Sequence, residues 1–144
     1  MLVHQILNSK SSDAVVTVAP GTLVSDAVAV LAERKIGTVV VSKDGTTADG
    51  ILSERDIVRV LAKQGGAMLA QPVDAFMTKK LITCTREESA DSVLQQMTDG
   101  RFRHMPVVED GKLIGLITLG DVVKARLAQL AMEKDALQGM IMGH

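Results

Sequence analysis

Apolar and polar positions along the chain change period several times, and each change marks an element. Val15–Val18 is a short β-rich run stopped by Pro20-Gly21. Leu23, Ala27, Val30 and Leu31 then recur at helical spacing, with Thr22 or Ser25 available to cap the start. Thr38–Ser42 contains three consecutive valines and predicts a strand, Lys43-Asp44-Gly45 opens a hairpin turn, and Gly50–Leu52 forms the return strand. Ser53 is placed to cap a further helix, whose inner face is predicted to carry Ile57, Val58 and Leu61. Gly65-Gly66 through Pro72 reads as a linker. The same order then comes again: a strand over 81–84, a helix from about Glu88 to Asp99, a strand over 105–109, a turn at Glu109-Asp110-Gly111, a strand over 113–117 and a helix from Thr118.

These runs are an internal repeat, which has to be recognised before any fold is assigned. Val16–Val18 aligns with Ile82–Cys84 at an offset of 66, Ile36–Val41 with Arg103–Val108 at 67, and Gly50–Asp56 with Gly115–Asp121 at 65. The drift falls in turns, where length changes are tolerated. A unit of this size cannot bury both faces of its sheet alone, whereas two can bury them together. The expected fold is α/β, two βαββα repeats packed in pseudo-twofold symmetry with an extended C-terminal helix. The expected divisions are 1–64 (N-terminal segment and first repeat), 65–76 (linker), 77–127 (second repeat) and 128–144 (helical extension).

Composition narrows the function. Phe76 and Phe102 are the only aromatic residues, so the core is aliphatic and no base-stacking platform for single strands exists. A net charge of −1 gives no general attraction to nucleic acid or anionic lipid. Cys84 is the single cysteine, which rules out an intrachain disulfide, and its apolar setting reads as a small buried hydrophobe. The sequence shows neither a signal-peptide pattern nor an apolar run of membrane-spanning length, so a cytoplasmic protein without membrane partners is expected.

Two duplicated features carry candidate chemistry. Ser53-x-x-Asp56 and Thr118-x-x-Asp121 both fall where a strand gives way to a helix. A hydroxyl residue there caps the helix, the first-turn amides are positively polarised, and the Asp can accept hydrogen bonds from the 2′ and 3′ hydroxyls of a ribose. The plainer alternative is a capping box. Occurrence at matching places in both copies favours the ribose reading. The second feature is the start of the inner strand: Ile36-Gly37-Thr38 in one copy and Arg103-His104-Met105-Pro106 in the other. Gly37 permits close approach of a flat base, and an Arg there can hold phosphate by forked hydrogen bonds. For Arg101, beside Phe102, the favoured reading is part of a solvated charged turn.

The blocks Ile36–Val41, Gly50–Val58, Arg101–Val108 and Gly115–Val123, in order and in two copies, resemble tandem CBS domains, the Bateman module, over about Asp13 to Leu127. The match is to the stand-alone bacterial type, whose two clefts are composite. The resemblance implies binding of AMP, ADP, ATP or NAD(H), with S-adenosylmethionine as an alternative. One cleft would combine Asp13, Ile36, Gly37 and Thr38 with Arg103, His104, Thr118 and Asp121. The other would combine Lys79, Leu81, His104, Met105 and Pro106 with Ser53, Arg55 and Asp56. Arg55 stands against Gly120 and Gly37 against His104, so unequal affinities are expected. The resemblance also implies a homodimer acting on a separate protein target.

From Thr118 the helical pattern runs to about Gly139. Val123, Leu127, Leu130, Lys134, Leu137 and Ile141 form a heptad-like stripe, with Met132, Met140 and Met142 adding adaptable apolar surface. The stripe either packs on its own domain or helps build the homodimer. Catalysis is not expected and no catalytic cofactor or metal is implied. His4, His104 and His144 are far apart, and no zinc-protease, nucleophile-elbow or glycine-rich phosphate motif occurs. His104 can contact a phosphate or simply pack. The non-catalytic alternative to a nucleotide sensor is a structural dimerisation module with vestigial clefts.

Overall fold

The computed structural model describes residues 1–10 and 15–141. In chain order these form α1 (Val3–Ser9), β1 (Thr17–Val18), α2 (Val24–Arg34), β2 (Thr38–Val41), β3 (Gly50–Ser53), α3 (Glu54–Gln64), α4 (Ala90–Gly100), β4 (His104–Glu109), β5 (Lys112–Thr118) and α5 (Leu119–Ile141). Short 3₁₀ turns occupy Gly66–Ala70 and Val73–Ala75, both within residues 65–76. The chain is therefore α/β: the first repeat runs strand–helix–strand–strand–helix and the second helix–strand–strand–helix, its last helix being the long terminal one.

In the first repeat β1 runs parallel to β2, and β2 antiparallel to β3. All of β2 and β3 is buried, as expected of three adjacent valines covered on both faces. In the second repeat β4 pairs with β5. The strand expected over 81–84 is reduced to one parallel bridge, Cys84 to Val107. Pro106 explains the loss. Its counterpart Val40 donates its N–H to Val16 O at 3.1 Å, and proline has no N–H to give.

Those ladders also correct the alignment. Ser42 N–H bonds Val18 O, and Val108 N–H bonds Cys84 O, at 2.9 Å in both copies. Lys35 and Arg101, each in the left-handed region with φ near 55°, close α2 and α4 alike. The true offset through the inner strands is 66, so Gly37 corresponds to Arg103 and Thr38 to His104. The offset of 67 had matched Gly37 to His104.

Helix starts show a second departure. Neither Thr22 nor Ser25 caps α2: Leu23 holds the cap position and makes no side-chain hydrogen bond. The first amide, Val24 N–H, donates instead to Gln71 O at 2.9 Å, and Val73 N–H returns a bond to Thr22 O at 2.8 Å. In the second repeat Ser89 Oγ accepts from Ser92 N–H, while Ala90 N–H donates to Met1 O and Val3 N–H to Glu88 O, both at 2.8 Å. The chain start thus does for α4 what residues 71–73 do for α2.

Two compact units result. One gathers residues 1–10, 83–109 and 115–141; the other gathers 15–82 and 110–114. The first nine residues, counted by sequence with the first repeat, therefore fold with the second. Val3 and Ile6 enter a core with Cys84, Val93, Met97, Met105, Val107 and Ile117. The other core holds Val24, Ala27, Leu31, Val39, Leu52, Ile57, Met68 and Val73. Val58, expected inside, is 64% exposed, because it lies about 100° round the helix from buried Ile57. Cys84 is buried as expected, and burial pushes its thiol up to about 12. No helix among the described residues is long and apolar enough to cross a membrane.

On α5 only Val122 and Ala125 are buried. Beyond them the helix continues for about 24 Å with its apolar stripe bare: Leu127 is 63% and Ile141 76% exposed. The stripe does not pack on its own domain. Ile6→Ala should cost about 2–4 kcal/mol in urea unfolding, as a fully buried core residue does, although it precedes both repeats. A loss below about 1 kcal/mol would show that α1 is only loosely docked.

Candidate functional site

Each Ser/Thr-x-x-Asp segment forms a corner between the last strand of its repeat and the following helix. At the first corner Ser53 Oγ accepts from Asp56 N–H at 3.2 Å. Asp56 Oδ2 accepts from Ser53 N–H at 3.0 Å and from Ser53 Oγ at 2.9 Å. At the second, Thr118 Oγ1 accepts from Asp121 N–H at 3.1 Å, and Asp121 Oδ2 accepts from Thr118 N–H at 3.0 Å. Both corners are reciprocal capping boxes, so the plainer reading of these residues is present in both copies. The box also fixes each carboxylate beside the polarised first turn of its helix.

The inner-strand start lies against the corner of the same repeat. Gly37 O accepts from Glu54 N–H, and Arg103 O accepts from Leu119 N–H, both at 2.8 Å. A side chain at position 37 would stand 3.3 Å from Oε1 of the exposed Glu54, whose flexible end can shift to admit it. Thr38 is buried, and its hydroxyl donates to Leu52 O. Met105 is wholly committed to its core, and Pro106 O accepts from Cys84 N–H. Any ligand contact by Met105 or Thr38 would therefore run through backbone. Arg55, Lys79 and Arg103 are exposed, while Ile36, Leu81 and His104 are half-buried. Asp13 and Met142 lie outside the described residues.

The unit of the first repeat thus brings together Gly37, Thr38, Ser53 and Asp56, and that of the second brings together Arg103, Thr118 and Asp121. Among the described residues no group of three or more His, Cys, Asp or Glu side chains is disposed to hold a metal.

The two carboxylates have different cationic partners. Asp56 Oδ1 pairs with Arg59 from its own helix at 3.0 Å, and that Arg is largely exposed. Asp121 Oδ2 pairs at 2.9 Å with Lys10, whose ammonium also donates to Leu116 O at 2.9 Å. Lys10 and Asp121 are 27% and 23% exposed. Partial burial raises the Asp121 pKa, but the Lys10 ammonium and the Thr118 amide outweigh it and hold the carboxyl below its ordinary value. Lys10 was not found from sequence. Its signal is a weak fourth repeat block, Val3-x-x-Ile6-Leu7-x-x-Lys10 against Val73-x-x-Phe76-Met77-x-x-Lys80. In the folded chain Leu7 lies over Gly115 as Met77 lies over Gly50.

The CBS domain family matches residues 5–63 and 73–128. A mitochondrial CBS domain-containing protein of Arabidopsis thaliana is 38% identical over 83% of this chain, which spans 60% of that relative's length. The crystal structure of a CBS-domain containing protein from Agrobacterium tumefaciens is 44% identical, with a TM-score of 0.82 over 88% of this chain and 99% of that one. A CBS domain protein from Pyrobaculum aerophilum, complexed with AMP, shares the fold at 22% identity, with a TM-score of 0.77 over 92% of this chain and 99% of that one.

Asp121→Asn keeps a capping oxygen but removes the charge facing Lys10. It should lower stability at neutral pH by about 1 kcal/mol. Because the folded-state pKa is depressed, the wild-type advantage is complete above the ordinary value of 3.8 and lost as pH falls through the lower folded value. Chemical denaturation from pH 7 down to pH 2–3 checks this; a difference independent of pH would contradict it.

Proposed function

We propose that this chain, which belongs to the CBS domain family and carries two copies of the domain, is a regulatory module that binds an adenine nucleotide (AMP, ADP, ATP or NAD(H)) and signals to a separate protein. The observation that carries this reading is the duplicated corner. The same capping geometry, built twice from different residues, sets a carboxylate beside a helix start, where a ribose diol can donate to it. Arg55, Arg103 and His104 are the candidate phosphate contacts. Backbone around Ile36, Gly37 and Thr38, and around Lys79, Leu81, Met105 and Pro106, is the candidate grip on the base. The roles are binding roles throughout and include no nucleophile. Regulation then requires only that two shapes of the protein bind nucleotide unequally. The AMP in the Pyrobaculum protein accords with this reading, although at 22% identity the likeness bears on fold alone.

A second reading, a structural module with vestigial sites, draws on one observation: both carboxylates already have internal cationic partners. Calorimetric titration with AMP, ATP, NADH and S-adenosylmethionine separates the two. AMP should bind with two unequal affinities, and Asp56→Ala and Asp121→Ala should each weaken a different one by about ten-fold or more. Absence of heat from all four compounds at millimolar concentration would exclude the sensor reading.

The bare stripe on α5 supports self-association as a homodimer. Deleting residues 128–144 should convert a dimer to a monomer in light scattering. An unchanged mass would remove α5 from the interface.

A further inference from the structure

Lys10 reaches the second corner from a segment fixed independently of it. Val3 and Ile6 are buried, and Val3 and His4 N–H donate to Glu88 O and Arg86 O at 2.8 and 2.9 Å. Ser9 Oγ donates to Ile6 O, and Lys10 N–H to Leu7 O. The ammonium is therefore held against Leu116 O and Asp121 Oδ2 by a docked backbone. Among the described residues the first corner has no such arrangement: its carboxylate meets Arg59, one turn along the same helix and largely exposed. An unaccompanied Asp121 would present a net negative charge to an arriving phosphate. With Lys10 in contact the corner is neutral and retains a positively charged group that can swing on its four-carbon stem.

We infer that Lys10 is a specificity-determining residue that makes the Thr118/Asp121 corner select anionic adenine nucleotides over uncharged adenosine and over the cationic sulfonium of S-adenosylmethionine. This rests on the nucleotide reading above. The ammonium as placed neutralises Asp121. When a ribose diol donates to the carboxylate, the ammonium turns to the adjoining phosphate. Only the side chain moves, because its segment is anchored in the core. Both hydrogen bonds to the Asp121 carboxylate fall on Oδ2 among the described residues, so the diol can begin to bind at Oδ1 before Lys10 leaves.

The test is calorimetry with AMP, adenosine and S-adenosylmethionine on the full chain in an Asp56→Ala background, which weakens the first corner so that the change at the second can be read. Lys10→Gln should weaken AMP by about ten-fold or more while adenosine changes by less than about two-fold. Binding of S-adenosylmethionine should hold or tighten, and Lys10→Arg should keep the preference for AMP. In the unsubstituted chain, the AMP-to-adenosine preference should shrink as salt rises from about 50 to 500 mM, a readout that needs no variant to fold. Equal weakening of AMP and adenosine by Lys10→Gln would reduce Lys10 to a structural role. An unchanged ratio in Lys10→Gln, or a salt-independent preference in the unsubstituted chain, would overturn the inference alone. Failure of the unsubstituted chain to bind any of the three would overturn the nucleotide reading, and this one with it.

Discussion

Two backbone carbonyls, Gln71 O and Met1 O, hold the arrangement together. Each receives the first amide of a helix whose start is buried, α2 in one unit and α4 in the other. A buried amide without a partner costs more than a typical hydrogen bond returns. The segments carrying those carbonyls are therefore required parts of the cores they close. Val73 and Val3 each lie two residues further on and are fully buried. The chain in this way supplies each unit with a segment that precedes the other repeat in sequence.

That requirement places the chemistry. Once residues 1–9 are docked on the second repeat, Lys10 has little choice of position, and its ammonium meets Asp121. The matching Lys80 follows a segment docked on the first repeat, yet Asp56 is paired with Arg59 instead. The corners share their backbone geometry and differ in the cation that faces the carboxylate. The asymmetry visible in the alignment, Arg55 against Gly120, is thus joined by a second, which arises from docking.

A capping box and a ribose acceptor are compatible descriptions of the same carboxylate. The box consumes one oxygen and fixes the plane of the group, which is the kind of support that a precise acceptor needs from its neighbours. Lys10 adds a counter-charge that makes the pre-formed site tolerable before any ligand arrives. An isolated half-buried carboxylate would otherwise be raised in pKa by desolvation.

Much of this was legible in the sequence. The repeat, the α/β class, both strand–helix corners, the burial of Cys84 and the long terminal helix all follow from local patterns: period, turn residues and caps. Local patterns are readable because they arise from residues within a few positions of one another. Tertiary structure decided what depends on distant partners. It showed that Pro106 shortens the second sheet by withholding one amide, and that Val58 and the α5 stripe face outward. It showed that α2 starts on a borrowed carbonyl rather than on a hydroxyl cap. It also brought Lys10 to a carboxylate 111 positions along the chain. No periodicity encodes that pairing; it exists because a buried helix start had to find a hydrogen-bond acceptor, and the segment supplying it carried the lysine along.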